Sequence, residues 1–140
     1  ARYCGKISGL YPSQDDFAAA KVDEVIDLCT DITTQMRPAL REKDPKLRVQ
    51  MRKELSESIL PRWLGFFENL LKESEGSEFF VGNSLTIADL ASWRLCEWIS
   101  GGIIDGVSVE ILKEFPLLNS HKIKISNLPK VIEWMEKSYK

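Results

Sequence analysis

The sequence predicts an all-α protein built as a bundle of about six helices. Apolar residues recur at three- and four-residue steps through most of the 140-residue chain. Several segments open with a cap residue followed by Pro, Asp or an apolar run, which is typical of helix starts. The one strand-like stretch, residues 102–109, is short, and the chain shows no internal repeat. These observations favour a helical bundle over any sheet-containing fold.

Composition limits the classes of function. The chain is 44% hydrophobic, enough for one domain with a core, and its 19 basic residues balance 21 acidic ones. We therefore expect no nucleic-acid partner. No apolar run approaches the roughly 20 residues of a membrane helix, so no membrane partner is expected either.

The cysteines and the histidine give little indication of a metal site or of a redox function. Cys4, Cys29 and Cys96 are widely spaced, which favours free thiols and a reducing, cytoplasmic location. His121 is the sole histidine, so neither a Cys/His zinc site nor a Ser-His triad is predicted.

The first residues of the chain look like the end of a helix. Ala1-Arg2-Tyr3-Cys4 has no initiator Met before it and looks like a helix already under way, which Gly9 and then Pro12 would end. We expect residues 1–11 to close a preceding domain of a longer protein and residues 12–140 to form the helical domain.

A long helix should follow Pro12. Ser13, with Asp16 three residues later, is interpreted as a capping box, and the helix should run to about Arg41. Pro38 does not fit its last turn, because an internal proline removes one backbone hydrogen bond. The predicted buried positions are Val22, Val25, Ile26, Cys29, Ile32, Met36 and Leu40.

Asp44-Pro45 predicts the next helix, with Asp44 as the cap and Pro45 in the first turn. Pro61 should kink this helix, and the segment from Glu73 to Ser77 should be a loop. Its predicted buried stripe is Met51, Leu55, Ile59, Trp63, Phe66, Phe67 and Leu70.

The segment Phe79–Leu90 contains a complete helix start. Thr86 and Asp89 have capping-box spacing, and Leu85 and Leu90 stand where a hydrophobic staple would close. Because apolar residues follow at once, we expect a buried cap. This helix should end near Ser100-Gly101-Gly102.

The rest of the chain predicts three shorter helices. One should span Ser108 to Glu114, another should run from Phe115-Pro116 to about Lys124, and the last should start at Leu128-Pro129. The last helix carries the apolar residues Val131, Ile132, Trp134 and Met135.

The spelling Gly-Asn-Ser-Leu-Thr-Ile-Ala-Asp, residues 82–89, closely resembles the N-capping motif in the C-terminal helical domain of cytosolic glutathione transferases. Ala1-Arg2-Tyr3 and Gly9-Leu10-Tyr11 resemble the end of that family's N-terminal domain and the turn after it. The acidic pattern of the first long helix is similar to that of the sigma-like class, which includes prostaglandin D synthases. The resemblance implies that a thioredoxin-like domain, carrying the catalytic Tyr, Ser or Cys, precedes this chain. No catalytic residue is then expected in these 140 residues.

Asp23, Asp27 and Asp31 stack along one face of the first long helix. A solvated acidic face is the ordinary interpretation, although such like charges cost about 0.2–0.5 kcal/mol per pair. The resemblance implies that Asp31, together with Asp27 one turn earlier, binds glutathione held by the partner subunit of a homodimer. Thr30 stands where a third carboxylate would help to bind a metal at the dimer axis, so no metal site is expected.

The resemblance also places an apolar electrophile between the domains. Its expected wall residues are Thr33, Arg37, Pro38, Ala91, Leu95 and Trp98, and ordinary core packing is the alternative for each. Thr86 and Asp89 are expected to be structural only.

The implied function is conjugation of glutathione, the co-substrate, to hydrophobic electrophiles, with isomerase or peroxidase activity as further possibilities. The alternative is a non-catalytic module of the same fold that binds other proteins, because fold alone does not fix function. An unrelated bundle with a chance capping motif is a third interpretation.

Overall fold

The computed structural model describes residues 1–74 and 76–138, and within them the protein is helical with no strand. The predicted all-α class is confirmed, and α2 to α7 account for the six helices of the bundle. The α-helices are α1 (Arg2–Ser8), α2 (Asp16–Arg41), α3 (Pro45–Glu54), α4 (Leu60–Glu73), α5 (Ile87–Ser100), α6 (Pro116–Ser126) and α7 (Pro129–Ser138).

The cap of α2 differs from the sequence prediction. Asp15, not Ser13, is the N-cap, and its carboxylate accepts a hydrogen bond from the backbone N–H of Ala18 at 2.9 Å. The Ser13 hydroxyl instead lies 3.5 Å from the carbonyl of Tyr11. An aspartate is as good a cap as a serine, so the one next to the helix takes the position. The helix continues through Pro38 to Arg41, as predicted for its end.

Between α3 and α4 the chain forms a π-helical segment, Leu55–Ile59, just before Pro61. The N–H of Leu60 donates to the carbonyl of Leu55, five residues back. A π turn holds one extra residue, so the buried face moves by one position beyond it. Of the predicted stripe, Leu55 and Phe67 are fully buried and Phe66 is exposed. The other predicted positions are half-buried against the core: Met51, Ile59, Trp63 and Leu70. The fully or almost fully buried residues that follow are Leu60, Leu64, Phe67 and Leu71.

The predicted loop after α4 begins where α4 ends, at Glu73, and Glu75 lies outside the described residues. The chain leaves α5 through Gly101 and Gly102, of which only Gly102 is left-handed, with φ of 74°. The short helix predicted from Ser108 is a 3₁₀ turn confined to Ile111–Glu114.

Two hydrophobic clusters hold the bundle together. The larger one joins α2, α4, α5 and the 3₁₀ turn, with Leu64, Phe67 and Ile99 among its deeply buried side chains. The smaller one joins α5 to α6 and α7 around Trp93, Ile125 and Val131. Leu85 and Leu90 pack against this second cluster. The two clusters place α5 at the centre of the fold.

Candidate functional site

The acidic stripe of α2 is partly neutralised by a residue far back in sequence. Arg2 of α1 donates from Nε to Asp23 and from Nη2 to Asp27, each at 2.7 Å. The Tyr11 hydroxyl also donates to Asp23, at 3.2 Å. These contacts raise the pKa of Arg2, mainly through the hydrogen bond to Asp27. The repulsion between the carboxylates of the stripe is therefore reduced by a cation of α1, Arg2.

Asp31, the third carboxylate of the stripe, is exposed and has no ion-pair partner within residues 1–74 and 76–138. It lines a cavity of about 480 Å³ between α2 and α4, which we call the acidic cavity. Four of the eight lining residues are carboxylates. The lining consists of Glu24, Asp27, Leu28, Asp31, Phe66, Asn69, Leu70 and Glu73. Such a cavity suits a positively charged group of a ligand.

Four of the six predicted wall residues converge on another cavity. It has a volume of about 420 Å³, lies between α2 and α5, and is called the apolar cavity below. Its lining residues are Cys29, Thr33, Ala91, Arg94, Leu95 and Trp98. Thr33 and Asp31 are two residues apart, about 200° around the helix axis, so the two cavities lie on opposite faces of α2.

Arg37 and Pro38 do not line the apolar cavity; both are exposed further along α2. Cys29 and Arg94 are lining residues that the sequence reasoning missed. A periodicity signal existed for both, because Cys29 precedes Thr33 by four residues and Arg94 follows Ala91 by three.

The polar groups of Cys29 and Thr33 are not free to react. The Thr33 hydroxyl donates to the backbone carbonyl of Cys29 at 2.7 Å. Burial raises the pKa of the Cys29 thiol to about 12, and that of Cys96 to about 12. At neutral pH both thiols are protonated, and a protonated thiol is a poor nucleophile. The cavity therefore offers shape and apolar surface rather than a nucleophile.

Thr86 and Asp89 form the predicted capping box, and both are buried. The Asp89 carboxylate accepts from the N–H of Thr86 at 2.8 Å, from the Thr86 hydroxyl at 3.0 Å and from the N–H of Phe80 at 2.9 Å. His121 Nε2 lies 3.0 Å from the same carboxylate. The His121 ring also meets the Phe80 ring edge-on, with centroids 4.8 Å apart. This arrangement is a buried structural junction.

Glu68 is a second buried carboxylate, and the sequence reasoning missed it. It is 5% exposed and accepts from the backbone N–H groups of Leu117 at 3.2 Å and Leu118 at 2.9 Å, in the first turn of α6. A charged residue inside the apolar stripe of α4 was the available signal, but its partners lie about 50 residues away.

The described part of the chain contains neither a metal cluster nor a membrane span. In residues 1–74 and 76–138, no group of three or more His, Cys, Asp or Glu side chains is placed so that it could hold a metal ion. Over the same two ranges, no helix is both long and apolar enough to span a bilayer.

Comparison with known proteins shows to which family the chain is similar. The family model described as "Glutathione S-transferase, C-terminal domain" matches residues 30–138. A glutathione S-transferase of Plasmodium falciparum is 43% identical over 77 residues, which cover 51% of this chain and 34% of that protein. The probable glutathione S-transferase 6 of Caenorhabditis elegans is 30% identical over 138 residues, covering 96% of this chain and 64% of that protein. The chain thus spans about one third to two thirds of these relatives.

The fold agrees with that assignment. The solved structure of prostaglandin synthase D of Nilaparvata lugens superposes with a TM-score of 0.84 at 22% identity, over 98% of this chain and 65% of that one. At this identity the likeness concerns the fold alone. Together with the family match over most of the chain, it establishes that the chain belongs to the glutathione S-transferase C-terminal domain family.

Proposed function

We propose that this chain is the C-terminal domain of a cytosolic, sigma-like glutathione transferase that conjugates glutathione to hydrophobic electrophiles. Residues 1–11 would close a preceding thioredoxin-like domain that carries the catalytic residue, and residues 12–140 would form the helical domain. Isomerase and peroxidase reactions use the same two ligands and remain further activities within this proposal.

The observation that carries the proposal is the pair of unlike cavities on opposite faces of α2. The acidic cavity offers Asp31, which can pair with the ammonium of the γ-glutamyl group of glutathione. The apolar cavity offers Leu95, Trp98 and Ala91 to an electrophile. A charged co-substrate and an apolar electrophile require one charged and one apolar binding surface.

The chemistry itself is assigned to the domain that precedes this chain. There a Tyr, Ser or Cys would stabilise the glutathione thiolate, and the thiolate would attack the electrophile. This chain would contribute the apolar cavity to the electrophile of its own subunit and Asp31 to the glutathione of the partner subunit. Holding each substrate in place lowers the entropic part of the barrier.

A homodimer belongs to the proposal, because Asp31 is assigned to glutathione held by the partner subunit. Phe66, on the α4 side of the acidic cavity, is 41% exposed and would be covered in such a dimer. Asp27 also lines this cavity but already pairs with Arg2, so we assign it a weaker influence on glutathione than Asp31.

The test is Asp31→Asn in the full protein, which keeps the shape of the side chain and removes its charge. We expect the KM for glutathione to rise about tenfold, with little change in kcat, since the lost interaction is a charge-assisted bond made in the ground state as well. The matched control is Asp16→Asn, an exposed aspartate at the start of the same helix, which should leave the KM unchanged. Equal KM values for Asp31→Asn and wild type would remove the role given to Asp31.

The second candidate is a non-catalytic, protein-binding module of the same fold. Large exposed apolar side chains favour it, among them Phe17 at 74%, Val49 at 68% and Ile103 at 74% exposure. The full protein would then show neither conjugation of a chlorodinitrobenzene nor retention on immobilised glutathione.

A further inference from the structure

The helix α3 presents a basic face at the surface of the protein. None of its residues is buried, and its cations are Lys46, Arg48, Arg52 and Lys53. Arg48 and Arg52 are one turn apart, as are Val49 and Lys53, so these four side chains lie on one face of the helix. The whole chain has a net charge of −2, so this face is a local concentration of positive charge.

The basic face borders a cavity of about 300 Å³ between α3 and the loop after α5, which we call the basic groove. Its charged lining residues are Arg48, Arg52, Lys53, Glu57 and Asp105. Arg52 donates from Nε to the carbonyl of Ala39 at 2.8 Å and from Nη1 to the carbonyl of Asp105 at 3.0 Å. At Gly106 the loop comes so close that an added Cβ would lie 3.1 Å from the Cβ of Arg52. The groove is therefore preformed, with the Arg52 guanidinium held in a fixed position.

The cations of the groove are available to a ligand. Arg48 and Lys53 are exposed, and within residues 1–74 and 76–138 neither side chain has an ion pair or a hydrogen bond. Arg52 uses two N–H groups on the carbonyls, and the remaining N–H groups of its guanidinium stay available. A bound anionic group would pair with these cations and reduce the repulsion between them.

The spacing of the cations fits an extended peptide. Arg48 and Arg52 are separated by one helical turn, about 6 Å along the axis. In an extended chain, alternate side chains lie on the same side and are about 7 Å apart. Carboxylates at alternate positions of a peptide can therefore meet successive cations of α3.

The same lining disfavours larger polyanions. Glu57 and Asp105 would repel a continuous row of phosphates, as in a nucleic acid or at an anionic bilayer. A bilayer would also need a broad apolar face, whereas Val49 is the apolar side chain that the lining offers. A peptide with spaced carboxylates can place neutral residues opposite Glu57 and Asp105.

We propose that the basic groove binds an extended, acidic peptide segment of a partner protein, whose alternate carboxylates face Arg48, Arg52 and Lys53. The groove shares no lining residue with the acidic cavity or the apolar cavity. This interaction is therefore separate from the proposed transferase function, and each proposal can fail without the other.

The experiment measures binding of fluorescently labelled nonapeptides to the full protein by fluorescence anisotropy. One peptide carries three glutamates at alternate positions of a Ser/Val background, and its partner carries glutamine at the same positions. We expect the glutamate peptide to bind about tenfold more tightly than the glutamine peptide. A third peptide with three adjacent glutamates should bind about threefold more weakly than the first, because adjacent side chains point to opposite sides.

Arg48→Gln and Lys53→Gln should each weaken binding of the first peptide about threefold, and Arg48→Glu should weaken it further because the charge is reversed. Both positions are exposed, so thermal unfolding of these variants should match wild type. Arg62→Gln changes an exposed arginine of α4 outside the groove and is the matched control, with unchanged affinity. Raising the salt concentration should weaken binding to wild type.

Equal affinities for the glutamate and glutamine peptides would overturn the proposal. So would an equal loss of affinity in Arg48→Gln and Arg62→Gln, because the peptide would then bind outside the groove. Vesicles containing phosphatidylserine and a short RNA test the other classes of partner. Binding of either that depends on Arg48, without binding of the glutamate peptide, would also overturn the assignment to a protein partner.

Discussion

At the scale of single residues, Asp89 joins three separate parts of the chain. Its carboxylate receives hydrogen bonds from Phe80 in the loop before α5, from Thr86 at the start of α5 and, through the contact with Nε2, from His121 of α6. All of these groups are buried, so each would lose water without gaining a partner if the carboxylate were absent. The side chain therefore acts as a structural hub.

We expect Asp89→Asn to lower the free energy of unfolding by about 3–5 kcal/mol, because an amide cannot accept from all four donors and leaves buried groups unpaired. Denaturant unfolding of the two proteins measures the difference. Asp105→Asn is the control: it changes an exposed aspartate and should cost less than about 0.5 kcal/mol. A loss below about 1 kcal/mol for Asp89→Asn would mean that the donors find other partners.

The sequence could predict only the local half of this junction. Thr86 and Asp89 are three residues apart, and that spacing is specific to a capping box. His121 lies 32 residues from Asp89, and nothing in its own neighbourhood indicates the contact. For the same reason the sequence does not indicate that Arg2, 21 residues before Asp23, is the partner of the acidic stripe.

At the scale of helices, the π segment explains why Leu60 and Leu64 are fully buried, while the predicted Ile59 and Trp63 are only half-buried. Two registers, one residue apart, are equally apolar in sequence, since Ile59 and Leu60 are adjacent and so are Trp63 and Leu64. An uninterrupted helix would bury Ile59 and Trp63, whereas the extra residue of the π segment turns Leu60 and Leu64 inward. The nearby proline predicts a kink, but a proline does not indicate how the register changes.

The start of α6 depends on a side chain from another helix. The helix has no side-chain cap of its own, and Glu68 of α4 accepts from the N–H groups of Leu117 and Leu118 instead. A carboxylate at this position also interacts favourably with the positive end of the helix dipole. Glu68 thus couples the position of α4 to the first turn of α6.

We expect Glu68→Leu to lower the free energy of unfolding by about 2–4 kcal/mol, because the buried N–H of Leu118 and the partly buried N–H of Leu117 lose their acceptor. Glu68→Gln keeps one acceptor oxygen and should cost about half as much. Hydrogen exchange should become faster at the amides of Leu117 and Leu118, whereas exchange at the amides of α2 should stay unchanged.

Glu54→Gln, at the exposed end of α3, is the matched control for Glu68 and should leave both stability and exchange unchanged. If Glu68→Leu were as stable as wild type, the first turn of α6 would not depend on the distant carboxylate.

At the scale of the whole molecule, the sequence is sufficient for the fold class, the order of the helices and most of the apolar cavity. Thr33, Ala91, Leu95 and Trp98 meet as the family resemblance implied, because they follow the helical period on two helices that pack together. The attachment of α1 to the bundle could not be predicted. It depends on contacts between distant residues, such as the close approach of Gly5 to Ile87, where an added Cβ would lie 2.8 Å from the side chain.

Contacts made by α1 and by the segment after it attach α1 to the bundle. Gly5 packs on Ile87, the N–H of Ile87 donates to the carbonyl of Leu10 at 2.9 Å, and Arg2 holds Asp23 and Asp27. In our proposal α1 belongs to the preceding domain, so the Arg2 contacts would set how the two halves of the protein meet. They would also leave Asp31 as the carboxylate of the stripe that is available to glutathione.

We expect Arg2→Gln to lower the free energy of unfolding of this chain by about 1 kcal/mol at low salt, since Arg2 is partly exposed and its two ion pairs are screened by water. Raising the salt concentration should reduce this difference, because screening weakens both the lost attraction and the repulsion left between Asp23 and Asp27. The control is Lys21→Gln, which breaks an exposed pair with Glu24 within α2 and should cost much less than Arg2→Gln. Hydrogen exchange at the amides of Gly5 and Leu10 should accelerate in Arg2→Gln and not in Lys21→Gln, because only the former variant loses a link between α1 and α2. Equal exchange in the two variants would mean that the docking of α1 depends on the contacts of Gly5 and Leu10 with Ile87 instead.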